Sequence, residues 1–240
     1  MKKHIQLGLA LLLLVVSWPP LFDMLRETWM DGRITDRYEI EHTFERDGFK
    51  TTVDTQELTI NGLQITIEEI PTGQKAPLTF WDEEEGVPPG DIVRIQYYLN
   101  GKAISEADPI WLSNRDRGSR YYSWLDVVSV YDKETDEKYI YIVQRLTDDD
   151  ANMAERAWKL IRISPEGEVS EETVSYADRS QHPLAVRLIN YSGTSLMAMG
   201  YHSDILHGYP SLFFPLLYPF LTGVIGLIFL VVAIRKAIKG

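Results

Sequence analysis

The 240-residue chain contains no cysteine. Disulfides, thiolate metal sites, a lipidated cysteine and a cysteine nucleophile are therefore excluded. A domain outside the cell without disulfides suits a bacterial surface better than a eukaryotic secretory route, where small domains are often stapled. Charge is missing just as sharply from two stretches. Residues 5–22 and 209–234 hold no Asp, Glu, Lys, Arg or His. Proton relays, ion pathways and voltage sensors need such a group inside the membrane, so the chain by itself does not read as a transporter or channel. Also missing are a Gly-x-Ser-x-Gly nucleophile elbow, a glycine-rich phosphate loop and two histidines spaced by four around a glutamate.

What is present is divided between segments. Residues 23–208 carry all 35 Asp and Glu but only 19 of the 24 Lys and Arg, a net charge of −16. The remaining basic residues, Lys2, Lys3, Arg235, Lys236 and Lys239, lie beyond the two uncharged runs. An acidic surface repels nucleic acid and anionic lipid, so nucleic acid is not an expected partner. Its first consequence is solubility; cations and basic partners are what it would attract. No cofactor is implied.

The pattern predicts a tail at 1–4, an N-terminal transmembrane anchor at 5–22, a β domain at 23–208, a C-terminal transmembrane helix at 209–234 and a tail at 235–240. Residues 212–234 are long enough to cross a hydrocarbon core about 30 Å thick as a helix. Tyr209 and Tyr218 suit the interface at one end, and Arg235 with Lys236 places the other end in the cytoplasm. Residues 5–22 are just long enough to span. Lys2, Lys3 and the apolar run also resemble a signal peptide. Bulky Trp18, Pro19 and Pro20 spoil the cleavage site, so an uncleaved anchor is preferred and a cleaved signal is the alternative. Both place residues 23–208 outside the cell and the tails inside.

Pro215, Pro219, Gly223 and Gly226 fall at i, i+4, i+8 and i+11, one narrow stripe on an ideal helix. Small residues let membrane helices approach closely. The stripe is expected to receive the first segment or another membrane protein. Its bland reading is a kinked helix entry with scattered glycines.

Between the segments, two-residue alternation dominates. Asn61-Gly62 and Asn100-Gly101 each separate alternating runs, which predicts type I′ hairpins. Further hairpins are expected at 124–146, around a charged turn at 132–137, at 157–176 and at 184–201. Only 148–158 reads as helical, and 70–90 reads as a long loop or a seam between subdomains. The expected fold is an all-β domain of about ten antiparallel strands, a meander or sandwich, with a propeller-like stack as the alternative. Residues 23–36 read as a connector with an amphipathic turn.

The candidate ligand site is the basic cluster at 114–122. Arg115, Arg117 and Arg120 beside Tyr121 and Tyr122 suit bidentate capture of a carboxylate, phosphate or wall polymer. The competing reading is a loop whose arginines pair with nearby carboxylates. His202, Asp204 and His207 have metal-ligand chemistry but the wrong spacing, so no metal is predicted. The acidic runs at 83–85 and 148–150 lack the pattern of a calcium loop. No catalytic residue is assigned.

These features predict a non-enzymatic bacterial membrane protein that binds, senses or serves as an accessory subunit. Its partners would be the lipid bilayer and another membrane protein reached through the C-terminal helix. A membrane-tethered hydrolase acting on wall polymers is the alternative, and a scaffold or adhesin the third reading. The short tails leave no room for cytoplasmic chemistry on this chain.

Overall fold

The computed structural model describes residues 2–46, 49–51, 53, 55–78, 83–84, 86–113, 120–148, 150–195, 197–205 and 212–238. The chain divides into two compact units, residues 33–197 and residues 1–32 with 198–240.

The larger unit is a β-sandwich. One sheet has the order β1 (Tyr38–His42), β9 (Leu125–Asp132), β10 (Glu137–Arg145), β11 (Ala157–Ile163) and β12 (Val169–Ser175). The other contains β4 (Glu57–Ile60), β5 (Leu63–Lys75), β6 (Asp91–Leu99), β7 (Lys102–Ala103) and β8 (Asp108–Trp111). A short ribbon, β2 (Phe44–Arg46) with β3 (Phe49–Thr51), completes the strands, and every pairing is antiparallel.

The turn chemistry sets the registers. Ile60 pairs with Leu63 across Asn61-Gly62, and Leu99 pairs with Lys102 across Asn100-Gly101. All four turn residues have positive φ, the conformation that matches the twist of the flanking strands. The hairpins β9–β10 and β11–β12 form where alternation predicts them. Residues 70–75 differ from expectation. They extend β5 to Lys75, with the register shifting between Pro71 and Gln74. A bulge there lets the strand pass Pro71, which has no N–H to donate.

The sheets share a core of Ile65, Ile67, Val93, Ile95 and Tyr97 from one side and Leu125, Val127, Ile140, Ile142 and Ile161 from the other. Two polar ties cross it. Tyr97 Oη donates to Gln144 Oε1 at 2.7 Å. Buried Lys159 donates to Ser105 Oγ and the Glu106 carbonyl, each at 3.1 Å, and pairs with Asp108.

The cover of the first sheet differs from expectation. Residues 184–190, expected to be a strand, lie in helix α2 (Pro183–Ser192), packed on β1, β9 and β10. Pro183 occupies the first turn and Gly193 ends the helix in the left-handed region. Ala185, Leu188, Ile189 and Ser192 are buried at i, i+3, i+4 and i+7. Because α2 covers this face, β9 and β10 are buried on both sides. The predicted partner strand of that hairpin is absent among the described residues. The expected helix at 148–158 reduces to one 3-10 turn, Met153–Glu155, before β11 begins.

The smaller unit contains helix α1 (Lys2–Arg37) as far as Gly32, its last turn belonging to the larger unit, and helix α3 (Thr222–Ile238), preceded by a π-helical segment, Leu216–Leu221. Both are long and apolar enough to cross a membrane. The first does not stop at Phe22: residues 23–36 are helical rather than a turned connector. It then passes directly into β1. Its last residue is tied within the sandwich unit. Arg37 grips Asp132 with Nε and Nη2 and reaches Glu134 at 2.6 Å, while Lys133 N–H donates to the Arg37 carbonyl.

Candidate functional sites

Three arrangements hold chemistry that solubility and packing do not explain at once. The first concerns the predicted arginine–tyrosine cluster. Arg115 and Arg117 lie outside the described residues. Arg120 makes a bidentate contact to Glu69, Nε to Oε1 and Nη2 to Oε2, both at 2.6 Å. Tyr121 is fully buried and donates to Glu69 Oε1 at 2.9 Å. Tyr122 is exposed. The guanidinium and the phenol hold the Glu69 carboxyl below its ordinary range, with the guanidinium the larger influence. Burial, reinforced by Glu69, pushes the Tyr121 phenol up. The fork of Arg120 thus already carries a carboxylate supplied by β5. An outside anion would have to displace Glu69.

Glu69 borders a groove of about 640 Å³ lined also by Gln56, Glu57, Thr66, Glu68 and Tyr98. Tyr98 Oη donates to Glu68 Oε2 at 2.6 Å. The groove is acidic and open, and its polar groups are partly engaged with each other.

The second arrangement is a buried acid in the sandwich. Asp126 is 0% exposed; its Oδ1 accepts the Val127 and Val53 N–H groups, and Oδ2 lies 3.1 Å from His42 Nδ1. The His42 ring stacks on Tyr191 of α2 at 4.6 Å. Burial raises the Asp126 carboxyl above its ordinary value, against the opposing pull of His42 and the two N–H groups. The position closes this acid off from a polymeric substrate; it joins β1, β9 and the segment at Val53.

The third is the helix pair of the smaller unit. A Cβ built on Gly223 would lie 3.0 Å from Leu21 Cδ1 and 3.5 Å from Ser17 Cβ, and one on Gly226 would lie 3.1 Å from Leu13 Cβ and Leu14 Cγ. Both glycines therefore face α1 at close range. Pro219 is buried while Pro215 is only partly so. The helical stripe does not continue through them, because Tyr218 has extended backbone angles and the α-helix starts at Thr222.

Polar groups on the two helices meet each other. Ser17 Oγ and Thr222 Oγ1 are 2.8 Å apart, and Lys236 Nζ donates to Gln6 Oε1 at 3.2 Å. Tyr218 Oη donates to the Val16 carbonyl at 3.0 Å. That carbonyl has no helical partner, since the residue four positions on is Pro20. Tyr218, expected as an interfacial ring, thus supplies the donor that Pro20 removes. In hydrocarbon such a replacement is worth more than in water, where solvent would serve.

Beyond the uncharged run, Glu27 of α1 is fully buried and receives the 199–205 segment. Its partner lies 175 residues further along the chain, and no local pattern marks such a pairing. Of the predicted histidine–aspartate group, His202 Nε2 sits 3.2 Å from Met30 Sδ and Asp204 accepts the Gly200 N–H, while His207 lies outside the described residues. Among the described residues no three metal-ligating side chains converge.

No protein family, curated protein or solved structure matches this chain.

Proposed function

We propose that the chain is a membrane-anchored, non-enzymatic binding or sensing protein, or an accessory subunit of a bacterial membrane complex, with its β-sandwich outside the cell. The helix pair carries this reading. Of two helices of spanning length, the second turns Gly223 and Gly226 toward the first and polar side chains of both meet, while large apolar residues such as Leu12, Val15, Phe220, Leu227 and Ile228 are exposed. That is the inside-out distribution a lipid solvent demands.

Because Gly223 and Gly226 are taken up by α1, a second membrane protein would dock on the outward faces of the pair rather than on the glycine stripe. The polymer-hydrolase alternative requires a carboxylate of raised pKa in an open cleft. Asp126 is raised but buried, and Glu69 borders a groove but is lowered, so neither supports it. Native purification in mild detergent tests the accessory form. Recovery of a stoichiometric second membrane protein supports it; recovery of this chain alone leaves the binding or sensing form and ends the accessory one.

A further inference from the structure

Glu27 stands five residues beyond the uncharged run of α1, and it is 0% exposed. Its Oε1 accepts the N–H of His202 at 3.2 Å, the N–H of Ser203, and the Ser203 hydroxyl at 2.8 Å. No ion pair of Glu27 occurs among the described residues. Oε1 therefore offsets its burial through donors of one short segment, while Oε2 is buried with no hydrogen-bond partner among the described residues.

That segment is shaped for the contact. A Cβ on Gly200 would fall 1.6 Å from the Ser203 carbonyl oxygen and 2.7 Å from Glu27 Oε1, so only glycine lets the turn close. Asp204 Oδ1 accepts the Gly200 N–H at 3.3 Å from within the turn. One helical turn along α1, Tyr201 Oη donates to Asp31 Oδ1 at 3.2 Å, and its ring is buried. Glu27, Met30 and Asp31 occupy i, i+3 and i+4, one face of α1.

We propose that Glu27 is a carboxylate latch that clasps the 199–205 turn to α1, separately from the helix packing at Gly223 and Gly226. The backbone passes between the two units at two points. One is α1 itself, which runs unbroken into β1; the other is the stretch through 199–205 toward α3. The latch joins these two routes. The inference does not depend on what the sandwich binds.

Hydrogen–deuterium exchange on the full chain in nanodiscs tests it, with a cysteine pair at Ser17→Cys/Gly223→Cys reporting helix pairing. Glu27→Ala is expected to speed exchange of the His202 and Ser203 amides at least tenfold while crosslinking is retained. Gly200→Ala should do the same from the other side of the contact. Glu27→Gln, which keeps an oxygen acceptor, should fall between wild type and Glu27→Ala. Unchanged protection of His202 and Ser203 in Glu27→Ala overturns the latch. So does loss of crosslinking together with protection throughout the smaller unit, since Glu27 would then support the whole unit rather than one clasp. If Glu27→Ala does not fold, Ser203→Ala, which removes one donor, decides: faster exchange confined to 199–205 supports the latch, and no change refutes it.

Discussion

Replacing Gly226 with leucine should force α1 and α3 apart. Already the first added carbon would stand 3.1 Å from Leu13 Cβ and Leu14 Cγ and 3.2 Å from Leu14 Cδ2. Alanine is therefore accommodated only if Leu13 and Leu14 yield by a few tenths of an ångström. Leucine adds three further carbons in the same direction, and no rotamer withdraws them all from the interface. Overpacking of this kind costs about 1–3 kcal/mol, which shifts the packed-to-separated ratio roughly 5- to 150-fold. The pair Ser17→Cys/Gly223→Cys reads that ratio. The distance of 3.5 Å from the Ser17 Cβ to a Cβ built at Gly223 meets the separation a disulfide needs. The chain has no cysteine of its own to compete. Oxidative crosslinking should be efficient with Gly226, reduced with Gly226→Ala and largely lost with Gly226→Leu. Equal crosslinking in all three would refute the close approach and the anchored-pair reading built on it.

Other expectations concern the sandwich. Arg120→Ala should destabilise the domain by about 1 kcal/mol at pH 7, a charge-assisted contact discounted for the partly exposed guanidinium. Because Glu69 is held below its unfolded value, its contribution is present above about pH 4.3 and is lost as pH falls through the folded value; chemical denaturation should show the mutant's deficit vanishing toward pH 2. A deficit independent of pH would refute that origin. Tyr97→Phe leaves Gln144 Oε1 without its inter-sheet donor and should cost about 1–3 kcal/mol in urea denaturation. Leu188→Ala should cost about 2–5 kcal/mol if α2 is part of the core, and under 1 kcal/mol if the helix merely lies on the surface.

The strands that were legible in the sequence are those whose cause is local. Asn-Gly dipeptides and clean alternation define β4–β5 and β6–β7 without help from distant residues. Helix α2 was not legible, because Leu184, Val186 and Leu188 alternate as in a strand. Its helical face includes Ala185 and Ser192, residues that weigh little in an apolar count. Pro183 and Gly193 are its start and stop signals. At the sites, residue types were readable but partners were not. Arg120 finds Glu69 across 51 residues, and Ser17 finds Thr222 across 205. Pro20 could have pointed to a missing donor near Val16, although nothing in the sequence named Tyr218 as its replacement.

In the proposed topology both helices cross a membrane and hold the acidic sandwich outside. Single cysteines in this cysteine-free chain test it with a membrane-impermeant maleimide on intact cells. Thr59→Cys, exposed on β4, should label without permeabilisation, whereas Lys3→Cys and Lys236→Cys should label only after it. Labelling of Lys3→Cys or Lys236→Cys in intact cells, or protection of Thr59→Cys, would contradict the account.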